Sequence, residues 1–247
     1  MHPDFNFSLK PGKIMKRFFF LAATLFSAVI ANAQTDIDFG NMFTIENGED
    51  GKPQPIELNN PSMVKDGIVF IGDTRTPDKI TDGKYKGMRV SRSKRFFSVG
   101  GKNRQYQNAL QFRRAPQGAT KNHIVDVTFV PRSCMLQLKP TAAGKLTFMA
   151  QTGKPEGNNL YVAVRNGSTF RNIATLTFKK DEAITGKKDA PYQTQSCDYQ
   201  YADGDELWIY SDGSVSLYGI QFTGSFDKTF AGSDPIEVNK AVRKAQK

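Results

Sequence analysis

Asp203-Gly204-Asp205-Glu206-Leu207-Trp208-Ile209-Tyr210-Ser211-Asp212-Gly213-Ser214-Val215-Ser216-Leu217-Tyr218-Gly219-Ile220-Gln221-Phe222 is the stretch that decides the fold. It reads as two strands joined by a tight turn. Leu, Trp, Ile, Tyr, Val and Phe favour a pleated, half-buried surface. Asp212-Gly213 is a hairpin signal, because glycine tolerates the positive backbone angles such a turn needs. Successive strand side chains alternate between faces, so Trp208 and Tyr210 share one side and Leu207 and Ile209 the other. One pair must face a core. If Trp208 and Tyr210 point outward they form a stacking platform for sugar rings; if inward they are packing. Asp203, Asp205 and Glu206 read as solvated acids of a turn, with a calcium site as the weaker alternative.

Upstream, the same kind of signal recurs. Thr35–Phe39, Met42–Ile45, Ile56–Leu58, Met63-Val64, Ile68–Ile71, Met88–Ser91, Arg95–Val99, Ala109–Phe112, Ile124–Val130, Cys134–Leu138, Leu146–Ala150, Leu160–Val164, Ile173–Phe178 and Tyr192–Tyr201 all read as short strands. Asp66-Gly67 and Asn166-Gly167 mark hairpins, and Gly100 to Arg104 a loop. About a dozen short strands separated by frequent turn signals predict an all-β fold, a single antiparallel β-sandwich of the jelly-roll kind. The first helical pattern downstream of the leader begins at Ser233-Asp234-Pro235-Ile236-Glu237: a capping residue, an early proline and an early acid. It predicts either a short helix over about 235–246, its basic end suited to the negative pole of the helix dipole, or a basic tail.

The other end is a targeting segment. Met15-Lys16-Arg17 precedes an apolar run, Phe18–Ile30, and Ala31-Asn32-Ala33 follows it. This is the pattern of a secretory signal peptide cleaved near Ala33-Gln34. Thirteen helical residues span about 20 Å, short of the roughly 30 Å hydrocarbon core. The expected organisation is therefore an upstream extension plus signal peptide (1–33), a β-sandwich domain (34–226) and a basic C-terminal helix or tail (227–247). The expected location is secreted, periplasmic or cell-envelope, with no membrane span.

The net charge is +10, and residues 83–125 hold eleven Lys and Arg with no Asp or Glu. Clustered on one face, these cations would attract polyanions; spread over the strands, they are solvated surface. Export sets nucleic acid aside as a partner. Arg104-Gln105-Tyr106-Gln107-Asn108 offers donors, acceptors and a ring in one stretch, the mixture a sugar-binding loop uses. Arg104, Tyr106, Asn108 and Trp208 are the candidate ligand-binding residues. No catalytic or metal-ligating set stands out, and no cofactor is expected: His123 is the sole histidine after processing, and no nucleophile elbow, P-loop or dinucleotide fingerprint occurs. Cys134 and Cys197 carry two readings. A disulfide would close a loop of about 63 residues and contribute about 4 kcal/mol; otherwise they are buried thiols.

Several of these pieces, in order, have a familiar look. They are Ile37-Asp38-Phe39, Gly67-Ile68-Val69-Phe70, Val99-Gly100-Gly101 with Asn108–Phe112, Ala143–Phe148, Gly204–Ser211 and Leu217–Ile220. Together they resemble the jelly-roll, carbohydrate-binding-like ancillary modules of secreted bacterial polysaccharide-degrading proteins, including those attached to pectate lyases. The likeness covers most of residues 35–224 and departs from that pattern in the basic segment. It implies a β-sandwich with a glycan-binding role and carries over no catalytic residues. The expectation is a secreted non-catalytic protein that binds an acidic polysaccharide or envelope glycan. The alternatives are a structural or interaction protein of the envelope, and a polysaccharide lyase in which a tyrosine or His123 takes a proton.

Overall fold

The computed structural model describes residues 34–58, 62–72, 87–113, 116, 129–180, 191–192 and 194–247. The predicted leader, residues 73–86, most of the predicted strand 124–130, His123 and four of the eleven cations (Lys84, Lys86, Arg114, Lys121) lie outside the described residues.

Two antiparallel sheets face each other. The elements run β1 (Thr35–Asp38), α1 (Phe39–Met42), β2 (Ile56–Leu58), β3 (Met63–Lys65), β4 (Ile68–Ile71), β5 (Met88–Val99), β6 (Lys102–Phe112), β7 (Met135–Leu138), β8 (Gly144–Gln151), β9 (Asn158–Asn166), β10 (Thr169–Phe178), β11 (Gln195–Tyr199), β12 (Glu206–Ser211), β13 (Val215–Phe222) and α2 (Pro235–Ala245). The seven-stranded sheet has the order β11-β8-β13-β6-β5-β2, with β1 paired to the end of β13; the six-stranded sheet has the order β10-β9-β12-β7-β4-β3. Alternate residues of both sheets, among them Leu110, Leu136, Phe148, Val162, Ile209 and Leu217, fill the space between them. Period-2 patterning with one apolar face per strand leads directly to this arrangement.

The stretch 203–222 is not a hairpin. β12 lies between β9 and β7 in the six-stranded sheet, whereas β13 lies between β8 and β6 in the other. Every residue of β12 is buried, so it belongs in the middle of a sheet covered on both sides. The turn between them carries the chain from one sheet to the other. Neither Asp212 nor Gly213 has a positive φ. Asp212 instead accepts from the Asn159 backbone N–H at 2.8 Å and from its side-chain amide at 2.7 Å. Gly213 is needed for close approach: a Cβ there would lie 2.5 Å from Asn158 Oδ1.

The other turn signals do make hairpins. Asp66-Gly67 joins β3 to β4 with φ of 52° and 74°, and Gly167 opens the turn between β9 and β10. Gly100-Gly101 alone, both at positive φ, joins β5 to β6. Residues 104–108, read from sequence as a loop, are therefore the interior of strand β6. Residues 42–45 do not form the expected strand; Asp38 accepts from Gly40 N at 2.7 Å and turns the chain into one helical turn, α1.

The C-terminal segment is a helix. Asp234 caps it through the Ile236 N–H at 2.8 Å. Val238 and Val242 pack on the outer face of the six-stranded sheet, over Val69, Phe170, Trp208 and Tyr210. Ser233, just before the cap, is gripped by the buried Gln137: its N–H donates to Gln137 Oε1 (2.9 Å) and its carbonyl accepts from Nε2 (3.0 Å). The helix thus seals one outer face of the sandwich.

No disulfide joins Cys134 and Cys197 in the structure. Cys197 is on the edge strand β11 of one sheet, which lies against β10 of the other. Cys134 precedes β7, three strands further in. Three strand spacings are about 14 Å, twice the reach of a disulfide.

Candidate functional site

The outer face of the seven-stranded sheet is built differently from the sealed one. Glu57 is registered with Arg89, Arg89 with Gln111, Gln111 with Ser216, and Ser216 with Gln151. These five residues lie in one row across β2, β5, β6, β13 and β8. Their sequence neighbours Leu58, Met88, Val90, Leu110, Phe112, Val215, Leu217 and Ala150 all point into the core. The row therefore points away from it. Four strand spacings make it about 19 Å long. Its side chains are partly exposed: Arg89 Nε donates to Gln111 Oε1 at 2.7 Å within the row, and Gln151 Nε2 donates to the Tyr218 hydroxyl beside it at 3.2 Å. Ser93 Oγ lies 2.8 Å from the same hydroxyl.

At one end of the row two guanidiniums share a single carboxylate oxygen. Glu57 Oε1 is 3.9 Å from Arg89 Nη1 and 3.6 Å from Arg113 Nη1, both longer than a hydrogen bond. Burial, and then the Arg113 charge, lower the Arg89 pKa from the usual guanidinium value, against the pull of Glu57. Beyond the row, toward the β5–β6 turn, the face is closed by an aromatic cluster of Phe97, Tyr106 and Tyr218 with Met149, against which Tyr192 packs. Two buried polar atoms there, Tyr106 OH and Arg95 Nε, have no hydrogen-bond partner. Burial pushes the Tyr106 hydroxyl pKa upward, Arg104 opposing.

The four residues expected from sequence do not converge. Arg104 reaches across to Asp36 and, at 3.2 Å, to Asp38, and its guanidinium lies 4.9 Å from the Tyr106 ring centre. Tyr106 is wholly buried. Asn108 is buried and donates to the Phe43 carbonyl at 2.7 Å. Trp208 is wholly buried beside α2, its indole N–H donating to Glu206 at 3.2 Å. The Trp208–Tyr210 side is outward from the sandwich core, yet packed beside the helix rather than presented to solvent.

The acids after the turn at residue 203 are likewise structural. Asp205 is buried and accepts from Tyr199 OH (2.8 Å), Asn166 Nδ2 (2.8 Å) and Ala202 N (3.2 Å). Glu206 is buried and accepts from Arg165 Nη1 and Ser233 Oγ, each at 2.7 Å. They are not the solvated turn acids expected from sequence. Among the described residues no group of three metal-ligating side chains occurs.

The described cations of the basic segment do not form one bare face. Arg89 and Arg113 meet Glu57, Arg104 meets the acids of β1, and Arg92 donates to the Ile45 carbonyl at 2.7 Å. Their partners come from residues 36–57, outside the segment itself. A cleft of about 380 Å³ at one end of the sandwich is lined by Asp36, Asp38, Asn41, Ile68 and Phe226 among others. Its two β1 carboxylates are already engaged by Arg104 and, for Asp38, by the Gly40 N–H.

The chain is a two-sheet antiparallel β-sandwich with one outer face sealed by its C-terminal helix. No family model and no curated protein matches its sequence. Among solved structures it is similar to one described under glycan recognition in the Ruminococcus flavefaciens cellulosome (11% identity, 80% of this chain and 97% of that one, TM-score 0.35). It is also similar to the K1 cleaved adhesin domain of Lys-gingipain from Porphyromonas gingivalis (14% identity, 78% and 99%, TM-score 0.37). A pentameric capsid protein from metagenomic phage sequences is more distant still (15% identity, 48% and 79%, TM-score 0.22). Likenesses this loose carry no argument about function. Among the described residues no helix is long and apolar enough to cross a membrane.

Proposed function

We propose that this chain is a secreted, non-catalytic protein that binds a polysaccharide along the polar row Glu57–Arg89–Gln111–Ser216–Gln151. The observation that carries the reading is the contrast between the two outer faces. One is apolar and covered by α2. The other places five partly exposed polar side chains in register across five strands. A row of donors and acceptors on a sheet face suits an extended, hydroxyl-rich chain; Arg89 and Gln111 hold one another and Gln151 is held by Tyr218, so these three lose little rotamer entropy on binding. Buried Tyr218, bonded to Ser93 and Gln151, holds Gln151 in place from the aromatic cluster beside the row. The apolar leader at 18–30 supports export, and with it an extracellular or envelope glycan as partner.

The test is affinity electrophoresis of the processed protein through gels containing pectin, alginate or a neutral glucan, at low salt. Retardation by at least one, reduced by Gln111→Ala with unchanged thermal stability, supports the reading. Unretarded migration in every gel overturns it.

A further inference from the structure

We infer that the Glu57 end of the row selects a carboxylated sugar, which seats its carboxylate between the Arg89 and Arg113 guanidiniums. The inference rests on the glycan-binding reading above and adds the substrate class. Three facts carry it. Two full positive charges face one negative charge, so the group keeps a net charge of one cation. The contacts of Glu57 with both guanidiniums, at 3.6 and 3.9 Å, are ion-pair distances rather than hydrogen bonds, so a second carboxylate can take the close bidentate positions that Glu57 leaves. Arg89 is also fixed from its other side by Gln111, which holds its fork in place before a ligand arrives. All three side chains are about one-third exposed; a ligand at the surface reaches them without displacing any part of the sandwich.

Glu57 is then an internal competitor. It offsets one of the two guanidinium charges in the free protein, and the ligand's carboxylate offsets the other. Removing its charge should strengthen acidic-sugar binding, an outcome that a merely structural ion pair would not give.

The experiment compares polygalacturonate with its fully methyl-esterified form by isothermal titration, for the wild type, Glu57→Gln and Arg113→Gln. Each substitution is at a partly exposed position, and melting curves verify folding. The wild type should bind the acid more tightly than the ester. Glu57→Gln should bind the acid about fivefold more tightly and Arg113→Gln about fivefold more weakly, the range of a partly exposed charge pair, with the ester unchanged in both. Equal affinity for acid and ester, or weaker acid binding by Glu57→Gln, overturns the inference and leaves the glycan reading standing. Binding of neutral glucan alone does the same. Failure to bind any glycan overturns both.

Discussion

Glu206→Gln is the perturbation that probes how the sealed face is held. Glu206 is nearly buried and takes hydrogen bonds from Arg165, Ser233 and Trp208 at 2.7, 2.7 and 3.2 Å. It links the central strand β12 to β9 and to the residue that leads into α2. The amide has the same shape but leaves the Arg165 guanidinium without its counter-charge. Removing one partner of a fully buried pair costs about 3–5 kcal/mol, and an exposed pair is worth about 0.2–1 kcal/mol. Arg165 retains 23% of its side-chain exposure and Glu206 8%, so a cost of about 2 kcal/mol lies between these limits. For a protein of this length that is a fall in Tm of about 4–8 °C. Differential scanning calorimetry measures it. Arg165→Gln should cost a similar amount, and the double variant little more than either single one, because both remove the same interaction. A Tm within about 1 °C of wild type, or strictly additive losses, would refute the reasoning.

Other outcomes follow from particular residues. Tyr106→Phe removes a buried hydroxyl that has no partner, and should raise stability by about 1 kcal/mol in chemical denaturation; a loss of that size would show that the hydroxyl is bonded in solution. Gly219→Ala places a Cβ 2.6 Å from the Ile37 carbonyl and 2.9 Å from the Tyr106 ring, and should cost about 1–3 kcal/mol as β1 is pushed off β13. Burial, with Asp198 beside it, raises the Cys197 thiol to about 11. The raised pKa disfavours the thiolate at neutral pH, so alkylation of the native protein should be slow at pH 8 and accelerate until the pH passes about 11; fast alkylation at pH 8 would contradict the placement.

Much of the architecture was legible in the residues. Period-2 alternation in Met88–Val90, Cys134–Leu138 and Ala109–Phe112 marks which side chains enter the core, and Asp66-Gly67 and Gly100-Gly101 mark true hairpins. Asp212-Gly213 misleads because the dipeptide is required there for side-chain bonding and close approach, not for positive φ. The site was far less visible. Alternation shows that Arg89, Gln111, Gln151 and Ser216 each point away from a core, yet only the long-range pairing of β5, β6, β13 and β8 places them in one row. The ion pairs of Arg89, Arg104 and Arg113 are hidden for the same reason: their acids sit far back in the chain. Alternation places Trp208 opposite to Leu207 and Ile209, but the helix it packs against begins 27 residues later.

The central claim is that one outer face binds and the other is sealed, and an NMR titration of uniformly ¹⁵N-labelled protein with oligogalacturonate tests both halves together. The side-chain N–H signals of Arg89, Gln111 and Gln151 should shift in proportion to saturation while the indole N–H of Trp208 stays fixed. Shifts confined to Trp208 and the α2 amides, with the row unmoved, would contradict the account.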